Sequence, residues 1–263
     1  MKDSLGDRMK GYYEARTQSF LPRRTNSMIR LDGKAFHTYT KGFKRPYDLG
    51  LMHVMDNTAI ALCERIQGAK MAFVQSDEIS IIMTDYDDQQ TDAWFDGNVQ
   101  KITSISASIA TAAFNNGMYL DEEILANMDK VAYFDSRVFT LPSQIEVVNC
   151  FLWRQQDATR NSVSMAAQSM FSHKELHKKN TSEMHEMMFQ KGVNWNDYPV
   201  GFKRGRAIVK ETYLHSGRNK KTGEMAETHR SRWVSVEPPI FSQEPSFILN
   251  RLPKTEEVFN GRE

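Results

Sequence analysis

The segment AKMAFVQSDEISIIMTD, residues 69–85, most constrains what this chain can fold into. Two apolar runs flank Gln75-Ser76-Asp77-Glu78, which reads as a β-hairpin with a polar tip. Around it the periodicity predicts further elements. Asn26–Leu31 is a strand. From Leu49 to Gln67, Leu51, Met55, Leu62 and Ile66 fall mostly at helical spacing, and Gly68 is a suitable stop. Asp85–Asp92 is a polar, acidic loop, and Phe95–Asn115, rich in Ile, Ala and Phe, is a second buried helix. FDSRVFTLP, residues 134–142, is a fourth strand closed by a proline that cannot extend a central ladder.

The order strand, helix, strand, strand, helix, strand is the ferredoxin-like, or split βαβ, pattern. It is also the core of palm-type polymerases and nucleotidyl cyclases. The expected class is therefore α+β, with a palm-like catalytic core over residues 1–142. Residues 143–263 are expected to complete the same unit with a long helical stretch through Met188 and a basic, strand-rich tail. Ser216-Gly217-Arg218-Asn219 reads as an exposed loop tip.

Composition narrows the setting. With 40% apolar and 25% charged residues the chain is an ordinary globular protein. No apolar run approaches the roughly 18 residues of a membrane helix, and the N-terminus lacks the apolar core of a signal peptide. Cys63 and Cys150 have no metal-type spacing, so a reducing, cytoplasmic setting is expected. The net charge of +1 hides basic clusters at His173–Lys179 and from Lys203 to Arg232. They fit either phosphate-backbone contacts or a solvated charged face.

NSMIRLDGKAFHTYTKGFKRPYD, residues 26–48, ends the first strand on Asp32-Gly33 and follows it with cations. Asp-Gly is a hairpin signal, but in this topology the first strand can lie beside the central hairpin, so Asp32 and Asp77 can converge. Two carboxylates about 4 Å apart repel by about 4 kcal/mol at an effective dielectric near 20. One must take a proton, or a cation must sit between them. Oxygen ligands select hard ions, and Mg²⁺ combines a few carboxylates with phosphate oxygens and water. A pair of such ions can activate an attacking oxygen and neutralise a leaving pyrophosphate.

Glu78 is expected to be a support or a substrate contact rather than an equal ligand, because neighbouring strand residues point to opposite faces. Gly33 allows close approach of the backbone, and the amides of Lys34, Ala35, Phe36 and His37 can donate to a triphosphate. Phe36 or His37 can stack on a base, while the plainer reading of Phe36 is a core aromatic. Lys44 and Arg45 can reach phosphates or form an ordinary basic loop. HKELH places His173 and His177 four apart but is not HExxH, so helix surface is preferred to zinc. The Met-rich SEMHEMMF reads as packing surface.

Taken in order, these segments resemble the tRNA(His) guanylyltransferase family. RLDGKAFH and GFKRPYD are similar to its first motif, QSDEISIIM to its second and FDSRVFTLP to its fourth strand. FLWRQQDATRNS is similar to the following helix motif, and GFKRG to a later basic element. The resemblance implies a palm that adds nucleotides to the 5′ end of tRNA, in the 3′–5′ direction. It implies two Mg²⁺ ions held by Asp32, the Gly33 carbonyl and Asp77, with Asp32 and Asp77 catalytic.

A nucleoside triphosphate, ATP or GTP, would contact Asp32–His37, Lys44, Arg45, Asp48, Ser76, Asp77 and Glu78. Candidates for a second nucleotide or tRNA contact are Arg137, Arg154, Asn161, Lys203 and Arg204. The chemistry implied is nucleotide activation of a 5′-monophosphate, attack by a nucleotide 3′-OH and loss of the activating group. A 5′-triphosphate end would lose pyrophosphate instead. Where the eukaryotic enzymes carry His-Ile-Asn-Asn, this chain reads Thr159-Arg160-Asn161-Ser162. The departure favours the bacterial, archaeal and phage guanylyltransferase-like branch and template-dependent repair of 5′-truncated tRNA over G−1 addition to tRNA(His). A homotetramer is implied by the resemblance alone. The alternative is a palm-type nucleotidyl cyclase or signalling-nucleotide synthase that needs no RNA.

Overall fold

The computed structural model describes residues 4–119, 130–218 and 225–254. A short helix, α1 (Ser4–Met9), precedes β1 (Asn26–Gly33), α2 (Phe36–Tyr39) and α3 (Leu49–Arg65). The hairpin β2 (Ala69–Gln75) and β3 (Glu78–Thr84) follows, then α4 (Val99–Tyr119) and β4 (Phe134–Leu141). Next come α5 (Gln144–Gln168), α6 (His173–Leu176), α7 (Thr181–Gln190) and α8 (Val200–Arg204). The described chain closes with β5 (Arg206–Arg218), β6 (Met225–Val236) and α9 (Ser246–Leu249). Among the described residues, no helix is long and apolar enough to cross a membrane.

The six strands among the described residues form one antiparallel sheet in the order β4-β1-β3-β2-β5-β6. The first four reproduce the split βαβ order, with β4, the strand that ends before Pro142, at one edge. The central strands are covered on both faces, which is why β3 reads as a nearly continuous apolar run. Ile29, Leu31, Ile79 and Ile81 pack with α3 and α4 residues such as Met55, Leu62 and Phe114. Met28, Phe73 and Ile82 pack on the other side with Val147 and Phe151 of α5 and with Phe241 and Ile248.

Local chemistry sets the element ends. Asp48 caps α3, its Oδ1 accepting from Leu51 N at 3.1 Å. Gly68 beyond that helix has φ +79°, where a side chain would be strained. Two expectations are corrected here. The helical stretch from Ser143 to Met188 is broken twice, because Ser172 with Glu175 and Asn180 with Glu183 form capping boxes that start new helices. Ser216, Gly217 and Arg218 belong to β5, paired with β6, rather than to a loop tip. Asn219 lies outside the described residues.

Candidate active site

Asp32 and Gly33 are the last two residues of β1, so Asp-Gly is a strand end and not a hairpin turn. β2 and β3 are joined by only Ser76 and Asp77, and Ser76 takes φ +46°. This tight tip rests on the end of β1: Gly33 N donates to the Asp77 carbonyl at 3.2 Å. In register, Asp32 stands opposite Glu78 on one side and Asp135 on the other. Directly opposed residues share a sheet face, so Asp32, Glu78 and Asp135 form a row with Asp77 beside it.

The four carboxylates are not treated alike. Glu78 is held by Arg154 of α5 through two bonds, Nε to Oε1 at 2.7 Å and Nη2 to Oε2 at 2.9 Å. Asp135 is paired with Arg137 at 3.0 Å. Among the described residues, no lysine or arginine is ion-paired with Asp32 or Asp77. Burial pushes the Asp77 carboxyl up from its ordinary range; Ser76 and backbone hydrogen bonds oppose this, and the charges of Asp32 and Glu78 add to it. Such a pair lacks a positive partner, and its donors are hard oxygens. Among the described residues no three His, Cys, Asp or Glu side chains are arranged to hold a metal. Two carboxylates and nearby backbone therefore suit an ion that takes its remaining ligands from phosphate and water, as Mg²⁺ does.

The segment after Gly33 divides into free and engaged donors. Lys34 N is already bonded to Tyr133 O at 2.8 Å, which corrects its expected role as an amide donor to phosphate. Ala35 has φ +55° and opens α2. No acceptor takes the N–H groups of Ala35, Phe36 or His37 among the described residues. The Phe36 ring is 5% exposed and packs on Tyr39, Phe114 and Phe134 at centroid distances of 5.0–5.3 Å. It is a core aromatic rather than a base-stacking one. It also explains Gly33, since a Cβ there would lie 2.2 Å from the Phe36 ring. His37, Lys44 and Arg45 are exposed. Besides capping α3, Asp48 accepts from Lys44 N at 3.2 Å, so its carboxylate shapes this loop.

Behind the hairpin tip lies an open cleft whose empty space, solvent at its mouth included, is about 560 Å³. Its walls come from Asp48, Leu51 and Met52 at the start of α3, Gln75 and Ser76, Asn161 and Met165 of α5, and Phe202 of α8. Tyr47 leans on Phe202 at 5.0 Å and gives the cleft an aromatic side. Its lining, apolar and aromatic with a few polar groups, suits a small ligand.

The candidates for a second nucleotide or RNA contact separate. Arg137 is half-exposed on β4, and Asn161 reaches the cleft. Arg154 and Lys203 are corrections: Arg154 is 5% exposed and bonded to Glu78 and Asp157, and Lys203 is buried with its ammonium on the Asn196 carbonyl and near the Trp195 ring. Arg204 is half-buried, and its Nε has no partner. His173 and His177 do not share a helix face, because α6 ends at Leu176; their rings are 6.4 Å apart. The ribbon of β5 and β6 exposes Lys210, His229, Arg230 and Arg232, while Arg232 also pairs with Glu211.

Two residues escaped the sequence reading. Arg30 lies two positions before Asp32, hence on the same face, with an unpartnered Nε and its guanidinium 5.5 Å from the Trp153 ring. Gln75 is buried, with Oε1 unpartnered, at the cleft wall. Strand alternation counted back from Asp32 would have found Arg30; nothing local marks Gln75.

Comparison with known proteins agrees with this geometry. Residues 6–142, more than half of the chain, match the family described as Thg1, tRNAHis guanylyltransferase. A bacterial tRNA(His) guanylyltransferase (Thg1)-like protein solved in complex with ATP is 43% identical, with a TM-score of 0.83 over 95% of this chain and 100% of that one. A bacterial protein of the same description in complex with GTP is 42% identical, with a TM-score of 0.77 over 94% and 98% of the two chains. The tRNA(His) guanylyltransferase of Debaryomyces hansenii is 26% identical, over 84% of this chain and 87% of its own. The chain thus belongs to the tRNA(His) guanylyltransferase family and is a nucleotidyltransferase of that class.

Proposed function

We propose that the protein adds nucleotides to the 5′ end of tRNA in the 3′–5′ direction, and that its main task is template-dependent repair of 5′-truncated tRNA. The observation that carries this reading is the unequal treatment of the carboxylates: Glu78 and Asp135 have arginine partners, whereas among the described residues Asp32 and Asp77 have none. Asp32 and Asp77, with the Gly33 carbonyl, would hold Mg²⁺, in two ions on the family pattern. Bound there, the metal would lower the cost of charge on the triphosphate and on the departing pyrophosphate.

The remaining work falls to the chain itself. The free amides of Ala35–His37, with Lys44 and Arg45, would orient triphosphate oxygens. The open cleft beside Gln75 and Asn161 would receive the nucleoside. In the first step a 5′-monophosphate oxygen attacks the α-phosphorus of ATP and pyrophosphate leaves. In the second, the 3′-OH of the incoming nucleotide attacks the activated 5′-phosphate and AMP leaves. Arg137 and the exposed cations of the β5–β6 ribbon would carry RNA phosphates. Thr159-Arg160-Asn161-Ser162 in place of His-Ile-Asn-Asn supports repair, with G−1 addition to tRNA(His) as a secondary activity. A cytoplasmic homotetramer is the assembly we propose; Leu5, Met9, Tyr12 and Tyr13, exposed at helical spacing near the N-terminus, support self-association.

The test incubates purified protein with Mg²⁺, ATP and all four triphosphates, and compares tRNA lacking its first nucleotide with intact tRNA(His). Repair predicts faster extension of the truncated tRNA. No extension of either RNA would overturn the proposal, and product formed from triphosphate alone would favour a nucleotidyl cyclase.

A further inference from the structure

Arg154 comes from the middle of α5, far in sequence from the hairpin, and yet it makes the closest contact to the acidic row. Its side chain is 6% exposed and that of Glu78 12%, so the pair is closed to an RNA backbone. Its guanidinium lies 4.3 Å from the Trp153 ring centroid, which fixes its plane. Nη2 also reaches Asp157 at 2.8 Å. Asp157 in turn accepts from Arg160 at 2.9 Å and from Asn161 at 3.4 Å, and Asn161 lines the cleft. One planar group thus ties the start of β3, immediately after Asp77, to the wall of the cleft.

We propose that Arg154 is a positioning residue and that Glu78 is a neutralised strut rather than a metal ligand. The inference rests on the reading of Asp32 and Asp77 as the cation site. Glu78 stands directly across from Asp32 and follows Asp77, so an unpaired carboxylate there would be a third anion competing for the same ion. Bidentate pairing occupies both of its oxygens and directs them toward α5. The same bonds anchor the residue that directly follows the two-residue tip and so hold Asp77 in place. The arginine acts through Glu78 on Asp77 and on the cleft without touching a reacting atom.

The experiment is a titration with Mn²⁺, free ion read by electron paramagnetic resonance, on wild type, E78Q, R154M and the neutral pair E78Q/R154M. Thermal unfolding of each variant is followed in parallel. The strut predicts that the neutral pair, which keeps the net charge of the site, binds Mn²⁺ nearly as tightly as wild type, whereas losing a carboxylate that itself ligates the ion would weaken binding by about tenfold or more. R154M, which frees the Glu78 carboxylate, should bind Mn²⁺ more tightly and yet add nucleotide more slowly.

If R154M does not fold, R154K serves. It should keep Mn²⁺ affinity and the KM for tRNA but lower kcat, whereas an RNA-contacting arginine would show a raised KM for tRNA with kcat retained. Weak Mn²⁺ binding by the neutral pair, with wild type binding normally, overturns the strut alone. Absence of Mn²⁺ binding by wild type overturns the Asp32–Asp77 site, and the strut with it.

Discussion

β3 has an aspartate just beyond each end, and the two are built in opposite ways. Asp85, after the strand, is 7% exposed and accepts from Arg23 Nε at 3.0 Å, Arg24 N at 2.8 Å and Thr25 N at 3.1 Å. It ties the entry of β1 to the exit of β3, and each bond satisfies a group that would otherwise be stranded. Asp77, before the strand, has no arginine or lysine partner among the described residues, faces the charge of Asp32 and is held above its ordinary range by burial first of all. A fold that supplies three donors to one acid and no cation to the other is using them for different ends. Asp85 stabilises the sheet; on the function proposed above, Asp77 would serve a bound cation.

The largest test of that contrast removes the charge from Asp77. Asp77→Asn should lower single-turnover nucleotide addition by about 10³-fold, roughly 4 kcal/mol of barrier, while leaving the fold intact. A rate within tenfold of wild type would make Asp77 another structural acid. Next in size is Asp56→Ala, which strands the Arg206 guanidinium that Asp56 holds in the interior together with Ser235. It should cost about 3–5 kcal/mol in denaturant unfolding. Asp85→Asn should cost less, about 1–3 kcal/mol, because the amide oxygen keeps some of the bonds; the folded fraction should retain its kcat.

The smallest effect is the most diagnostic. A carboxyl whose folded pKa is raised stabilises the fold fully below its ordinary value, 3.8 for Asp77, and loses that contribution as pH rises through the folded value. Asp77→Asn should therefore melt above wild type at neutral pH, and the difference should vanish in acid below the ordinary value. Added Mg²⁺ should raise the melting temperature of wild type at neutral pH and not that of Asp77→Asn. Thermal melts with and without the ion check both statements.

Much of the frame was legible because it rests on local signals. The hairpin around Ser76-Asp77, the strand that ends on Asp32 and the helix from Leu49 with its Gly68 stop follow from periodicity and turn chemistry, and they bring Asp32 beside Asp77. The capping boxes at Ser172 and Asn180 were equally local and were passed over, which merged three helices into one stretch. The pairing of Glu78 with Arg154 was not legible, since α5 meets the hairpin only in the folded chain. Lys203 misled for a related reason. A lysine in a basic run reads as surface, but the short helix α8 turns this one inward against Trp195. Phe36 followed the plainer expectation, because three neighbouring rings claim it.

The most direct measurement follows nucleotide addition to a 5′-truncated tRNA as Mg²⁺ is titrated, with wild type, Asp32→Asn and Asp77→Asn side by side. The unpaired carboxylates predict extension by wild type that requires the ion and saturates with it, and loss of both rate and ion dependence in either variant. Extension by wild type without a divalent cation, or an unchanged Mg²⁺ curve in Asp77→Asn, would contradict the assignment.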